Sequence, residues 1–160
     1  MSNSKESDEG VENDGISQEF LANLPKYRHL ASNLASALTL LLEENDIKFL
    51  SISSRVKDIE SFLEKIERKG YEEPLDEIHD ICGVRVICYY AEDLEKIGKI
   101  IKKEFQIHES VDKEDLLKPN QFGYRSHHFI VSVKKEWLKT PNYKTVGDLK
   151  AEIQVRIVSN

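Results

Sequence analysis

The chain has 160 residues, of which 39% are apolar and 32% charged, with a formal net charge of −6. That length corresponds to one domain with an ordinary core, and no apolar run approaches the roughly 18 residues that a membrane span needs. Residues 1–20 hold six acids against Lys5, so the rest is nearly neutral and its overall charge neither favours nor opposes an anionic ligand. Nothing at the start has the shape of a secretory signal, and the protein is expected to be soluble and cytoplasmic, with no membrane partner.

Met1 to Ser17 is polar, acidic and without hydrophobic periodicity. This predicts a disordered tail over 1–17 and a folded domain over 18–160. From Gln18 to Asn45, the residues Leu21, Leu24, Tyr27, Leu30, Leu34, Leu38, Leu41 and Leu42 recur at helical spacing. They predict one long or two shorter amphipathic helices. Ile47–Ile52 reads as a short strand, and Ser54–Lys69 as a helix that Gly70 ends. Asp80–Tyr90 is a loop leading into an apolar strand, and Glu92–Glu104 a helix burying Leu94, Ile97, Ile100 and Ile101. Phe105–Val111 reads as a strand, Asp112–Gln121 as a charged loop and Ser126–Val133 as a strand. Trp137–Gly147 is a loop before a final strand over Leu149–Val158. Strands and helices that interleave irregularly predict an α/β (α+β) domain, a mixed sheet with helices against it. Cys82 and Cys88 fall at and within one apolar strand and fit no common zinc spacing. They read as reduced core thiols.

Three clusters carry chemistry. On the predicted Ser54–Lys69 helix, about 100° per residue puts Ile59, Phe62, Leu63 and Ile66 on one side. Lys57, Ser61, Lys65 and Arg68 fall on the other, with Glu64 among them and Arg55 at the helix start. Cations and a hydroxyl along one stripe suit a polyphosphate, with the arginine fork clamping oxygens and the lysines acting as point charges. A solvated face with a Glu64–Arg68 ion pair is the plain alternative.

Asp80 stands at the mouth of the apolar strand. Glu152 sits in the alternation Ala151-Glu-Ile-Gln-Val-Arg156, sharing a face with Gln154 and Arg156. A carboxylate inside a strand is costly unless it is paired or binds a cation. Two of them, on strands that could be neighbours, point to a divalent metal. Magnesium asks for one or two protein carboxylates and leaves the rest of its shell to water and phosphate. Capping by Asp80 and an outward polar row around Glu152 are the structural alternatives.

In Phe122-Gly-Tyr-Arg-Ser-His-His128, Gly123 permits a sharp entry into the strand. Tyr124, Ser126 and His128 then share one face, opposite Arg125, His127 and Phe129. Tyr124 can stack on a base, and His128 can donate to a phosphate or ribose oxygen. A half-buried strand with both side chains packed is the alternative. The five histidines form no helical His-x-x-x-His pair and no Cys/His cluster. There is also no Gly-x-x-x-x-Gly-Lys-Ser/Thr loop, so zinc and a P-loop kinase are both disfavoured. Metal, phosphate and base together point to nucleotide chemistry.

In order, these segments resemble the RelA/SpoT family of alarmone synthetases. The blocks are Arg55-Val-Lys-Asp-Ile-Glu-Ser-Phe-Leu-Glu-Lys65, Asp80-Ile-Cys-Gly-Val-Arg-Val86, Asp112-Lys113, Phe122-Gly-Tyr-Arg-Ser-His-His128 and Glu152-Ile-Gln-Val-Arg156. The resemblance covers about residues 20 to 156. It implies a nucleotidyltransferase-like fold, a mixed sheet flanked by helices. It implies transfer of the β,γ-pyrophosphate of ATP to the ribose 3′-hydroxyl of GDP or GTP, giving ppGpp or pppGpp. By the resemblance, Arg55, Lys57, Ser61 and Lys65 hold the ATP. Asp80 and Glu152 are the catalytic pair and bind Mg2+, and Glu152 helps to deprotonate the attacking hydroxyl. Lys113, Tyr124, Ser126 and His128 form the acceptor side, with Tyr124 on the guanine, and Arg85, Gln154 and Arg156 support the site.

Some family members carry a Lys and an Asn shortly before the Gly-Tyr pair, where Asn120 and Phe122 stand here. That difference keeps open a toxin-type relative that pyrophosphorylates the 3′ end of tRNA. The family normally continues into further helices after the last motif, whereas this chain stops at Asn160. It therefore reads as a truncated synthetase domain, and a non-catalytic nucleotide-binding module also stays open. There is no room for the metal-dependent hydrolase domain of the bifunctional relatives. A homo-oligomer is compatible with every reading.

Overall fold

A computed structural model describes the backbone of residues 3–115 and 124–158 and the side chains of residues 14–113 and 125–158. Its elements follow in the order α1 (Asn3–Glu44), β1 (Phe49–Val56), α2 (Ile59–Lys69), α3 (Pro74–Glu77), β2 (Cys82–Cys88) and α4 (Ala91–Glu104). Then come β3 (Gln106–Asp115), β4 (Tyr124–Ser132), a 3-10 turn (Trp137–Lys139) and β5 (Ala151–Ile157). The strands form one sheet in the order β1-β2-β5-β4-β3. β2 and β5 run parallel, and the other neighbours are antiparallel. This is the expected mixed α+β sheet flanked by helices.

Alternation sets the two faces of the sheet. On β5, Ala151, Ile153 and Val155 are buried while Glu152, Gln154 and Arg156 are half-buried. Register carries the apolar row across β2 as Val84 and Val86 and across β4 as Phe129 and Val131. Phe20, Leu30, Leu34, Leu38 and Leu42 of α1 join the same core, as do Leu94, Ile97 and Ile101 of α4. α1 packs on β1 and β2, and α4 on β4 and β5. The opposite face keeps the polar row. Among the described residues no helix is long and apolar enough to cross a membrane.

Several boundaries differ from the sequence reading. α1 is continuous from Asn3, not from Gln18, and it contains Pro25. Extending an existing helix costs far less than nucleating one, so a polar segment can continue a helix whose apolar half is anchored. The predicted helix over Ser54–Lys69 is a strand to Val56 and a helix only from Ile59. Pairing of Ser51–Val56 with Cys82–Ile87 decides the matter, because tertiary context overrides a weak periodic signal. Asp58 marks the true helix start, its side chain accepting from the Ser61 N–H at 2.8 Å. β3 extends to Asp115, taking in the start of the expected charged loop, Asp112 to Asp115. Asn120, Phe122 and Gly123 lie outside the described residues.

Candidate active site

The polar face is built strand by strand. Arg55 on β1 lies opposite Gly83 on β2, and Gly83 lies opposite Glu152 on β5. One step along, Ser53, Arg85, Gln154 and His128 form the next row across β1, β2, β5 and β4. Arg156 and Ser126 are register partners in the row after that. Because side chains alternate, all of these project to the side away from α1 and α4. Arg55, Asp80, Gly83, Arg85, Glu152 and Gln154 line one cleft. A second cleft, lined by Lys57, Asp58 and Ser61, joins the first through Arg55 and Asp80. Two carboxylates distant in sequence thus face one space.

Gly83 makes that space possible. A Cβ there would stand 3.1 Å from the Glu152 carbonyl oxygen and 4.0 Å from Arg55 Nε. The sequence reading assigned Gly83 no role. A glycine inside an apolar strand, which often marks a close approach, was the available signal.

Asp80 holds two cations. Lys65 Nζ donates to its Oδ1 at 2.7 Å, and Lys57 Nζ lies 3.5 Å from its Oδ2. The three side chains are about one-fifth exposed (Lys57 20%, Lys65 18%, Asp80 22%), so solvent screens them less than a surface pair. Burial by itself pushes the Asp80 carboxyl up. The hydrogen bond from Lys65 and the charge of Lys57 outweigh burial and hold it below its usual value. The Lys57 N–H also donates to the Ile81 carbonyl at 2.7 Å, which pins that lysine beside Asp80 although it lies outside α2. Ser61 is on α2, and its hydroxyl donates to Asp58 Oδ2 at 3.1 Å. Of the predicted stripe, Ser61, Lys65 and Arg68 lie on α2 and Lys57 on the connecting segment before it, while Arg55, expected at the helix start, lies near the end of β1.

Around Glu152, His128 Nδ1 lies 3.6 Å from Oε1, and Ser126 Oγ lies 3.1 Å from His128 Nε2. Ser126 is only 3% exposed, so its place is behind His128. Arg85 Nε donates to Gln154 Oε1 at 3.2 Å. Arg156 Nε is buried and has no hydrogen-bond partner in the described structure, which leaves it a donor for a bound acceptor atom. Lys113 is exposed on β3, in register with Ser126. Tyr124 begins β4, and its side chain lies outside the described ones.

The donor set fits magnesium. Two hard carboxylates share the cleft, and among the described residues no group of three or more His, Cys, Asp or Glu side chains could form a protein cage. An ion that keeps water and phosphate in its shell suits that set, and zinc does not.

The polar face of this mixed sheet, where acids and bases converge from parallel and antiparallel strands, is the candidate site of an α+β domain. The family described as the region found in RelA / SpoT proteins matches residues 54–160. The chain belongs to the RelA/SpoT family. It is 34% identical over 110 residues to the GTP pyrophosphokinase YwaC of Bacillus subtilis (strain 168), a match covering 66% of this chain and 50% of that protein. The chain thus spans about half the length of that curated relative. Among solved structures it is similar to a GTP pyrophosphokinase family protein from Streptococcus pneumoniae. That match has a TM-score of 0.67 and 25% identity, covering 88% of this chain and 70% of that one. It is also similar to small alarmone synthetase 2 of Bacillus subtilis, with a TM-score of 0.66 and 30% identity, covering 88% and 73%.

Proposed function

We propose that this chain is an alarmone synthetase domain that transfers the β,γ-pyrophosphate of ATP to the ribose 3′-hydroxyl of GDP or GTP. The observation that carries the reading is the cleft where Arg55, Asp80, Arg85 and Glu152 converge from three strands and the segment before β2. The pyrophosphokinase named among the relatives supports it.

The family resemblance assigns the roles, and the positions of the described residues support them. Arg55, Lys57 and Lys65 bind the donor phosphates, and Ser61 lines the same cleft. Asp80 and Glu152 would hold magnesium, which would supply charge neutralisation at the phosphates and lower the pKa of a nearby hydroxyl. Glu152 accepts the proton of the 3′-hydroxyl. The O3′–Pβ bond forms as the bond between Pβ and the α,β-bridging oxygen breaks, and AMP leaves with that electron pair. Arg55 and Arg85 offset the developing charge. Holding donor and acceptor in line does the remaining work, so no protein nucleophile is needed. On the acceptor side Tyr124 stacks on the base, Lys113 and His128 meet phosphate, and Ser126 orients His128. Gln154 and Arg156 support the row between the two halves. Both substrates belong to the cytoplasmic nucleotide pool, the compartment we assign.

The test is a magnesium-dependent assay with ATP labelled at its terminal phosphate, offering GDP, GTP and tRNA in parallel. Label on a guanine nucleotide is expected. Label on tRNA alone would make the chain a toxin-type relative. Nucleotide binding without transfer to any acceptor would make it a non-catalytic module.

A further inference from the structure

The β3–β4 hairpin reaches past the rest of the sheet. Pairing of β4 with β5 stops at Ser126, opposite Arg156. Pairing of β4 with β3 continues to Arg125 opposite Glu114 and Tyr124 opposite Asp115. Among the described residues, this part of the hairpin is therefore a two-stranded arm. Such ribbons twist strongly and are marginal without a third support.

Arg125 sits in that arm, on the helix side of β4, between Tyr124 and Ser126 of the polar face. Its Nε donates to Asp112 Oδ1 at 3.1 Å, and its Nη2 donates to Asp112 Oδ2 at 2.6 Å. The same Nη2 donates to Glu95 Oε1 on α4 at 2.6 Å. An exposed ion pair contributes little alone. A bidentate fork that also reaches a third element adds geometric definition. Below it, His127 Nε2 lies 2.9 Å from Ser110 Oγ, and the His127 ring stacks on Phe129 at 4.1 Å. The arm is thus tied to α4 at its outer end and packed at its base.

We propose that Arg125 is a positioning residue for the acceptor side. By clamping this part of the hairpin to α4 it sets where Lys113, His128 and the backbone that carries Tyr124 stand relative to Glu152, without touching substrate. The inference rests on reading that face as the acceptor subsite.

The experiment compares wild-type protein with Arg125→Gln, Glu95→Gln and Arg125→Lys. It measures kcat, KM for ATP and KM for GDP, and hydrogen exchange along β3 and β4. Arg125→Gln should raise KM for GDP severalfold with KM for ATP unchanged, and should speed exchange at the hairpin end but not in β2 or β5. Glu95→Gln should do the same to a smaller degree. Arg125→Lys, which keeps the charge and loses the fork, should fall between Gln and wild type. An unchanged KM for GDP in Arg125→Gln overturns the positioning role. So does a joint rise of both KM values with general loss of protection, which is the mark of a merely structural residue. Unchanged exchange at the hairpin end overturns the clamp. A wild-type protein that passes label to no guanine nucleotide overturns the acceptor reading, while the exchange comparison still decides the clamp.

Discussion

Glu152 and Asp80 share a cleft but differ in their neighbours, and this separates their expected phenotypes. Glu152 has His128 at 3.6 Å, whereas Asp80 has two lysines within 3.5 Å. Glu152→Gln should cut turnover by about 10²–10⁴-fold, the usual range for a lost general base, with an unaltered thermal melt. A variant that keeps wild-type turnover would remove Glu152 from the chemistry. Asp80→Asn should abolish transfer and also change acid stability. The Asp80 carboxyl is held below its usual 3.8 in the folded state. Its ion pairs therefore stabilise the fold above that pH, and this stability is lost as the pH falls through the lowered value. Urea midpoints measured from pH 6 downward should show a flatter acid slope in Asp80→Asn than in wild type. The cluster was legible in the sequence as residue types, but the basic stripe was misplaced. Lys57 reaches Asp80 from a connecting segment and Arg55 lines the same cleft from a strand end, and no helical wheel could show that.

At the scale of elements, the β1–α2 boundary teaches the most. Val56 and Lys57 suit a helical pattern as well as a strand. Only the partner strand β2 commits Arg55 to a sheet position facing Gly83. The local cue was Asp58, a capping residue immediately before the first apolar helical position. Asp58→Ala should speed hydrogen exchange at the Ser61 amide, and unchanged protection there would discount the cap. Gly83 couples two elements directly. In Gly83→Ala the new methyl meets a backbone oxygen of β5 at 3.1 Å, which cannot yield without moving the Glu152 main chain. Overpacking of this kind costs about 1–3 kcal/mol, and transfer should fall more steeply than stability. A fully active Gly83→Ala protein would show that the β2–β5 spacing has slack.

The whole molecule separates its two jobs onto the two faces of one sheet. α1 and α4 cover the apolar side, so the polar side is free to collect charge. The sheet needs α1 for this, since Leu38 is 0% exposed within the common core. Leu38→Ala should cost about 2–5 kcal/mol, read as a lower urea midpoint, while KM for either nucleotide stays as it was in the protein that remains folded. A neutral Leu38→Ala would mean that α1 is an appendage and not a layer of the domain.

Local pattern by itself determined much of this protein. Apolar alternation identified β2, β4 and β5, helical spacing identified α4 and the apolar half of α1, and five ordered motifs identified the family. Those features depend on neighbours in the chain, and their periods are written in the residues. The tertiary structure alone decided that Asp80 and Glu152 face the same space and that β2 and β5 are parallel neighbours. It alone placed Arg55 on a strand and tied Arg125 to Glu95 on α4. Each of these depends on strand order and register, which are set by the packing of segments far apart in the chain.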